Sequence, residues 1–586
     1  MKSQRKTEVK YFRNNNTQLF RSLGMIPGIL ILANGRSYGK INNKSGTANK
    51  PPKLLYECIP HTAANMSRIL IPYAFKYKKC TTSATAETEN ISTLVDNLYI
   101  LFSVVDNIPV GENTIPRGQI EVVIGSTADN ANYYTYLLHC TGLYAKPATH
   151  FDFQRVIQDT LWKRHMSSDE QDVRFLSSLY GGQIEDKTGG GGAEESIVLT
   201  IDPAGTTCFD DGFSAYLSRE GVITVTVYIA NVAIWLDALN LWQHMADMPA
   251  ASLYLPDKVR PMLPEVLSNA CSLQQGRVRL AHYMSFDVHV LREGCPENIR
   301  FGNVWIRVHK NLSPMDAADN MQDKPIAETL RLAGQAVMCA FATKSFGMPS
   351  VSEPKDVVQY LMLLMGAECA AKLAEFPGHV IDRSGCLFLG TAPSVATATA
   401  TTAEVNDEIQ EGLPMLGSVY SSTVIPHAGL RVPAYVHITS PLRRKVDIMN
   451  QCAFQYVTES TQFVNVDAYL DTADATADTA KHITEQTKRI RHTQNKCWFI
   501  HVASQALSLN GCDNTEMSGW IVSSSAAVAT TTTTPAIKYK VYLPSHKITI
   551  SAYCDRVLNM YENVTCHVYY FEHRDTFQKK IRAKIV

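Results

Sequence analysis

The sequence lacks a charge excess, a pattern of paired cysteines and a long apolar run. Its 55 Lys and Arg balance 55 Asp and Glu, so net charge indicates neither a nucleic-acid-binding nor a membrane-binding protein. Its 14 cysteines form no CxxC pair and no close cluster with histidine, which favours buried thiols in a reducing compartment. No run approaches the roughly 18 apolar residues of a membrane span, and the N-terminal segment lacks the apolar stretch of a signal peptide. We therefore expect a cytoplasmic monomer with no membrane partner, with the nucleus and organelles left open.

Segments of biased composition interrupt the chain. "DKTGGGGAEES" (186–196) is typical of a flexible joint, and three Ala/Thr-rich tracts at 394–408, 471–480 and 523–536 have little apolar surface to bury. These four segments are predicted to be exposed joints or expansions, not functional elements.

The segments between the joints differ in periodicity. Residues 28–124 and 519–586 each hold about five short β-branched or aromatic runs, which suits a small barrel of the OB type or a purely structural β-module. Residues 356–376 are typical of a long helix. The sequence predicts a multidomain α+β chain in which OB-type β-barrels flank a central mixed α/β domain. The predicted domains are an N-terminal OB or cold-shock-like barrel (1–125), a helical lead-in and Gly-rich linker (126–195), a central mixed α/β domain (196–505) and a C-terminal OB-type barrel (506–586).

Three carboxylates lie close together in "TIDPAGTTCFDDGF". If "IVLTID" is a strand, Asp202 lies at its end, and the following loop returns Asp210 and Asp211 to the same place. Carboxylates brought together repel unless a cation neutralises them, and hard oxygen ligands suit Mg²⁺ or Mn²⁺. Paired divalent ions are a common device for phosphodiester cleavage. Spacing alone also fits an Asp-rich surface loop.

Further segments make the pattern more specific. They are "VTVYIANVAIWL" (225–236), the YLP…MLP…LS…CSL run within 252–288, and "YVHITSPLRRKVD" (435–447). Together with the DPxGxT…DD opening, they resemble the catalytic domain of the ribonuclease II / ribonuclease R family, the RNB exoribonucleases, over roughly 126–505. The resemblance implies that residues 196–505 form a catalytic domain with OB-type barrels on both sides, and that the C-terminal barrel (506–586) binds RNA. It also implies metal-dependent 3′-to-5′ cleavage of single-stranded RNA to nucleoside 5′-monophosphates, with Mg²⁺ or Mn²⁺ as cofactor.

The resemblance also implies roles for single residues. Asp202, Asp210 and Asp211 fill the first, third and fourth places of the family's metal-binding aspartates, and Cys208 fills the second. Asp210, Arg443 and Tyr254 are the implied catalytic residues, with Arg443 at the scissile phosphate and Tyr254 against the RNA 3′ end. The implied RNA-binding residues are Tyr254, Arg443, Arg444 and Asp447.

Several positions depart from the family's pattern. A thiol is a poor Mg²⁺ ligand, so the change at Cys208 leaves three outcomes open: a weaker second metal, water in place of the missing oxygen, or loss of cleavage. A catalytically degenerate RNB-like RNA-binding protein is therefore the alternative function, ahead of an unrelated scaffold role. The other departures are Asn231 in "IAN", Pro314 in "NLSP", Gln359 or Tyr360 where a glutamate is expected, Lys445 after the two arginines, and His492 near the place of a later glutamate.

Overall fold

The chain is described here from a computed structural model. The predicted segment at 394–408 lies outside the described residues, as do most of the joint at 186–196 and parts of the tracts at 471–480 and 523–536. The structure describes residues 25–41, 53–61, 69–74, 96–110, 113–144, 155–156, 159, 168–188, 196–218, 220–246, 248–289, 296–319, 322–348, 350–378, 384–391, 418–471, 477–510, 514–528, 536–546, 548–559, 562–572 and 579–586.

The N-terminal strands close into a small barrel, as predicted. Five of them pair in the ring β1–β5–β6–β4–β3–β1, and the two-residue β2 extends the ring beside β3. Side chains that point inward form its core, including Ile71 and Phe102. A side chain at Gly28 would lie 2.7 Å from the Cys58 sulfur, so this position needs glycine for packing. The strands are β1 (Ile26–Leu30), β2 (Lys40–Ile41), β3 (Lys53–Pro60), β4 (Ile69–Tyr73), β5 (Leu98–Val110) and β6 (Asn113–Ser126).

The C-terminal strands form a second closed barrel, in the order β17-β18-β19-β21-β20. Alternating residues such as Val541, Leu543 and Cys566 fill its core, which gives the strands their period of two. The strands are β17 (Asn514–Val528), β18 (Ala536–Leu543), β19 (Ile548–Cys554), β20 (Asn563–Glu572) and β21 (Lys579–Ile585). The predicted arrangement of a mixed central domain between barrels is confirmed.

The central domain is built on a six-stranded mixed sheet in the order β13-β10-β9-β8-β14-β7, with β13 also paired to β14. Helix α6 (Lys324–Thr343) covers this sheet because apolar residues recur along one face, from Ile326 through Leu332 and Ala336 to Ala340. The strands are β7 (Ile184–Asp186), β8 (Val198–Ile201), β9 (Asp211–Leu217), β10 (Val222–Ala230), β13 (Val278–His289) and β14 (Glu297–Leu312), with the hairpins β11 (Leu253–Tyr254)–β12 (Val259–Arg260) and β15 (Phe388–Thr391)–β16 (Ser418–Ser421) outside the sheet.

Helices surround the sheet and connect it to the barrels. They are α1 (Asn130–Thr141), α2 (Asp169–Tyr180), α3 (Val232–Ala238), α4 (Glu265–Cys271), α5 (Pro314–Asp319), α6 (Lys324–Thr343), α7 (Pro354–Ala374), α8 (Lys445–Val457), α9 (Asp467–Leu470) and α10 (Ala477–Asn510).

Helix α7 corrects one expectation from the sequence. Among the described residues it is the one helix long and apolar enough to cross a membrane, judged by length and composition alone. Its Leu361, Leu364 and Met365 are fully buried, and it packs against α6, β8 and β10. Its apolar length is therefore accounted for by its place in the core of the central domain.

A tyrosine-rich cluster joins the barrels to the central domain. It takes Tyr99 from the N-terminal barrel, Tyr133 and Tyr136 from α1, Leu253 from the β11–β12 hairpin and Cys497 from α10. The rings of Tyr99 and Tyr136 stack with centroids 4.5 Å apart. Partly buried Tyr570 and Ile581 of the C-terminal barrel pack against the same cluster.

The cysteines follow the expectation of buried, unpaired thiols. Eleven are described; all are free, nine are buried and Cys339 is partly buried. Cys208 is the exposed one among them, and it lies between the aspartates of the predicted site.

Candidate active site

The three predicted aspartates lie where strands of the central sheet begin and end. Asp202 directly follows β8, and its amide donates to the carbonyl oxygen of Leu312 at the end of β14 (2.9 Å). Asp211 is the first residue of β9, and the carbonyl oxygen of Asp210 accepts from the amide of Ala230 at the end of β10 (2.8 Å). The loop after β8 thus returns to the sheet as the sequence predicted.

The side chain of Asp210 joins this corner to the "SPLRR" segment, more than 200 residues away. One carboxylate oxygen accepts from the backbone amide of Leu442 (2.8 Å), and the other accepts from Nε of Arg443 (3.0 Å). Asp210 is buried, whereas about half of the Arg443 side chain is exposed. Arg443 therefore offsets the charge of Asp210 from the protein side and presents the rest of its guanidinium to solvent.

A buried turn fixes the position of the two arginines. Asp447 accepts from the amide of Ser440 (2.7 Å) and from Nη2 of Arg444 (2.8 Å), while the Ser440 hydroxyl accepts from Nη2 of Arg443 (3.0 Å). Asp447 is fully buried. This geometry favours a positioning role for Asp447, and its predicted contact with RNA stays a prediction.

Tyr254 is presented to solvent on the short β11–β12 hairpin. Its side chain is 41% exposed, and the hairpin is tied to the arginine segment because Ser252 donates its amide to the carbonyl oxygen of Arg443 (2.9 Å). Burial raises the pKa of the Tyr254 hydroxyl. The nearby charge of Arg443 opposes this shift, and that of Asp210 adds to it. The structure thus brings Tyr254 beside the aspartate corner.

Burial and mutual repulsion disfavour the ionised form of all three carboxyls. Burial raises the pKa of Asp202 to about 6, with Asp210 adding to the shift. Burial raises the pKa of Asp211 to about 8, with further contributions from Asp202 and Asp210. The pKa of Asp210 is also raised by burial, although Arg443 opposes the shift. Three carboxylates that repel one another in a partly buried site favour the binding of a cation, which neutralises their charge.

The donor atoms fit a hard divalent cation in part. Among the described residues no three His, Cys, Asp or Glu side chains are already arranged as a metal site. However, Oδ2 of Asp202 is buried and makes no hydrogen bond, and Asp211 is electrostatically coupled to it. Carboxylate oxygens of this kind suit Mg²⁺ or Mn²⁺. Asp202 and Asp211 are therefore the available ligands, while both oxygens of Asp210 are engaged by Leu442 and Arg443.

Asp211→Asn is expected to stabilise the metal-free protein at alkaline pH. Because the folded state holds the Asp211 proton up to about pH 8 and the unfolded chain releases it near pH 4, this group lowers stability progressively as pH rises through that window. In EDTA at pH 8.5, the Tm of the variant should exceed that of the wild type by at least about 2 °C, and the gain should vanish near pH 4. Added Mg²⁺ should raise the Tm of the wild type more than that of the variant. Coincident pH–Tm curves for the two proteins would contradict this electrostatic account.

Cys208 lies on the loop between the aspartates and is exposed. Partial desolvation of its sulfur, together with the nearby carboxylates of Asp210 and Glu265, raises the pKa of the thiol. The group is therefore protonated at neutral pH, which makes it a poor ligand for a hard cation. Its exposure also shows that it is not a packed core thiol.

The other positions that depart from the family's pattern differ in their surroundings. Asn231 is fully buried, accepts from the amide of Ile234 to cap α3, and donates to Asn303 (2.9 Å) and Gln455 (3.2 Å). Tyr360 is buried in the core, whereas Gln359 is exposed on α7. The remaining three are Pro314, the first residue of α5, Lys445, the first residue of α8, and His492, exposed on α10.

One residue beside the site was not singled out from the sequence. Nε1 of Trp498 on α10 donates to the backbone carbonyl oxygen of Tyr254 (2.9 Å). The two residues are 244 positions apart. The available signal was a single tryptophan in "QNKCWFI", which alone is equally typical of a helix packed in a core.

Comparison with known proteins agrees with the fold and the motifs. Residues 193–344 and 351–459 match the family described as RNB domain. Ribonuclease R of Chlamydia muridarum is 26% identical over 314 residues, which are 43% of this chain and 44% of that protein. The resemblance to the RNB exoribonucleases is confirmed over these matched residues. The matched part spans less than half of the Chlamydia protein.

Solved structures share the fold at low identity. The apo form of Mycoplasma genitalium RNase R superposes with a TM-score of 0.64 at 14% identity, over 96% of this chain and 89% of that one. The same protein in complex with ribose methylated single-stranded RNA gives a TM-score of 0.63 at 12% identity, with the same coverage. Yeast Ssd1, described as a pseudonuclease, gives 0.57 at 12% identity, over 93% of this chain and 67% of that one. The fold thus occurs both in nucleases and in a protein described as lacking that activity.

Proposed function

We propose that this protein is a divalent-metal-dependent exoribonuclease that degrades single-stranded RNA from the 3′ end to nucleoside 5′-monophosphates. The observation that carries the proposal is the corner where Asp202, Asp210 and Asp211 meet, with Arg443 bound to Asp210 at 3.0 Å. A group of mutually repelling carboxylates beside a half-exposed arginine suits a site that binds a cation and a phosphate together. We propose further that it acts as a monomer in the cytoplasm.

Each residue of the corner has a distinct part in this proposal. Asp202 and Asp211 would hold a divalent ion, Mg²⁺ or Mn²⁺, which would supply positive charge at the scissile phosphate. Arg443 contacts the phosphate with the exposed part of its guanidinium and stabilises the charge that develops there. Asp210 holds Arg443 in place and, through a remaining lone pair, orients the attacking water. Tyr254 stacks on a terminal base, and Arg444 adds positive charge near the phosphates.

A second function is favoured by a specific observation. Both carboxylate oxygens of Asp210 accept hydrogen bonds from the protein, and Cys208 stands at the place of the family's second aspartate. A protein with these features could bind RNA through the same surfaces without cutting it, as the shared fold with the pseudonuclease Ssd1 illustrates. We keep this binding-only function as the alternative.

The two functions differ in their products. The purified protein is incubated with 3′-labelled and with 5′-labelled single-stranded RNA, in Mg²⁺, in Mn²⁺ and in EDTA. The exoribonuclease releases labelled mononucleotide at once from the 3′-labelled RNA and progressively shortens the 5′-labelled RNA, in the presence of metal only. Stable complexes without products in either metal would establish the binding-only function.

Cys208→Asp is expected to lower the Mg²⁺ concentration needed for half-maximal cleavage and to increase turnover. The substitution adds a hard oxygen on an exposed loop, beside the carboxylates whose repulsion a bound metal ion would relieve. The measurement is the cleavage rate titrated with Mg²⁺ and Mn²⁺, with Cys208→Ser as the matched control because it lacks the added charge. Superimposable metal curves for the three proteins would exclude Cys208 as the site of a missing ligand.

A further inference from the structure

Trp498 is unusual among the tryptophans of this protein. Trp235, Trp242, Trp305 and Trp520 are at most 9% exposed, whereas Trp498 is 44% exposed. Trp162 lies outside the described residues. Tryptophan has the largest apolar surface of any side chain, so leaving it in water on a helix has a cost that a ligand contact can offset.

The exposed ring is held in a defined place beside the site. Its Nε1 donates to the carbonyl oxygen of Tyr254 (2.9 Å), which attaches α10 to the hairpin that presents Tyr254. One turn further along α10, the ring of His501 meets the Trp498 ring edge to face, with centroids 5.8 Å apart. Neighbouring Cys497 and Ile500 are buried in the tyrosine-rich cluster, which fixes this face of the helix.

We propose that Trp498 is a second base-stacking residue of the RNA site and extends the platform that begins at Tyr254. The hydrogen bond satisfies the one polar group of the indole, and the exposed part of its apolar ring is available to a nucleobase. Stacking on aromatic rings binds single strands without reading their sequence, because every base has such a face. This inference rests on the proposed function in one respect: the ligand is single-stranded RNA.

Two substitutions separate stacking from positioning. Trp498→Phe keeps an aromatic ring and removes the N–H that binds the Tyr254 carbonyl oxygen. Trp498→Leu removes both, and keeps an apolar side chain. If the ring stacks, Phe retains most of the affinity and Leu loses it. If the residue acts only by holding the hairpin, the two variants lose affinity equally.

The test uses full-length protein and oligoadenylate of ten nucleotides in EDTA, so that binding is measured without cleavage. Titration should quench the tryptophan fluorescence of the wild type, and Trp498→Phe should lose that quenching. By fluorescence anisotropy of labelled oligoadenylate, Trp498→Leu should bind about 5- to 150-fold more weakly, and Trp498→Phe within a few-fold of the wild type. Tyr456→Leu, which removes a 39%-exposed aromatic at the far end of α8, is the matched control and should bind normally.

Unchanged affinity in Trp498→Leu, or equal losses in both variants, would overturn the stacking role and leave the proposed nuclease function untouched. Weakened binding in Trp498→Leu alone, in a protein that cuts no RNA in any metal, would support the inference while refuting the nuclease. Circular dichroism and Tm establish that each variant is folded before its affinity is compared.

Discussion

Asp210→Asn is expected to reduce RNA hydrolysis by at least about 1000-fold while leaving the affinity for RNA in EDTA within a few-fold of the wild type. The amide keeps an oxygen that can accept from Leu442, but it is neutral, so it no longer holds Arg443 by charge or orients water as a carboxylate does. Single-turnover cleavage of 3′-labelled RNA measures the loss, and anisotropy measures binding.

The chain offers a close control for this substitution. Asp287 is also a buried carboxylate bound to a half-exposed arginine, Arg300 (3.1 Å), but it pairs with Thr224 at the opposite end of β10 from Ala230, about 20 Å away along the strand. Asp287→Asn should retain cleavage. Equal activity in wild type and Asp210→Asn would remove the carboxylate from the mechanism, and equal absence of activity would favour the binding-only protein.

Arg443→Lys is expected to lower kcat by about 100-fold with a much smaller change in KM. Lysine retains the charge and can pair with Asp210, but it lacks the planar fork that reaches Asp210, the Ser440 hydroxyl and a phosphate at once. An interaction that strengthens as charge develops on the phosphate affects kcat more than ground-state binding. Steady-state rates over a range of RNA concentrations, at one fixed salt concentration, separate the two constants.

Arg300→Lys is the matched control, because it makes the same change at the equivalent ion pair far from the site. It should leave kcat and KM near those of the wild type. If Arg443→Lys instead raised KM with kcat unchanged, Arg443 would contribute only to RNA capture, and another group would have to stabilise the charged phosphate.

Much of the site was predictable from the sequence because its parts lie in short motifs. The prediction from "IVLTID" and "DD" was that one strand ends and the next strand begins at the same edge of the sheet. The structure has this arrangement. The resemblance supplied the arginine segment, but the atoms that join it to Asp210 span more than 200 residues. No local pattern specifies that Leu442 and Arg443 would occupy both oxygens of that carboxylate.

The positions that departed from the family's pattern were harder to interpret. Asn231 stands where an acid was expected, and the sequence alone gave no reason for an amide there. The structure supplies one: an amide both donates and accepts, and Asn231 uses both capacities with Asn303, Gln455 and the start of α3. Such a network depends on tertiary contacts between residues far apart in the sequence. Hydrophobic periodicity and secondary-structure propensity do not predict such contacts.

The barrels were predictable as folds, because ten short strands with the right spacing close in only a few ways. Their attachment was not. The tyrosine-rich cluster depends on which faces of α1 and α10 contact the barrels. The "NYYTYLL" segment of α1 is equally compatible with a helix that contacts neither barrel.

That cluster has a consequence for how the protein could be divided or recombined. Leu253, which precedes Tyr254, shares one apolar interior with Tyr99 of the N-terminal barrel and Cys497 of α10. A chimera that exchanges the first barrel would therefore replace part of the wall behind the hairpin, and its catalytic defect could arise from a displaced Tyr254 as well as from altered RNA capture. Substitutions in the barrel and in the hairpin should be non-additive, so the two parts are expected to change together in evolution and not as independent modules.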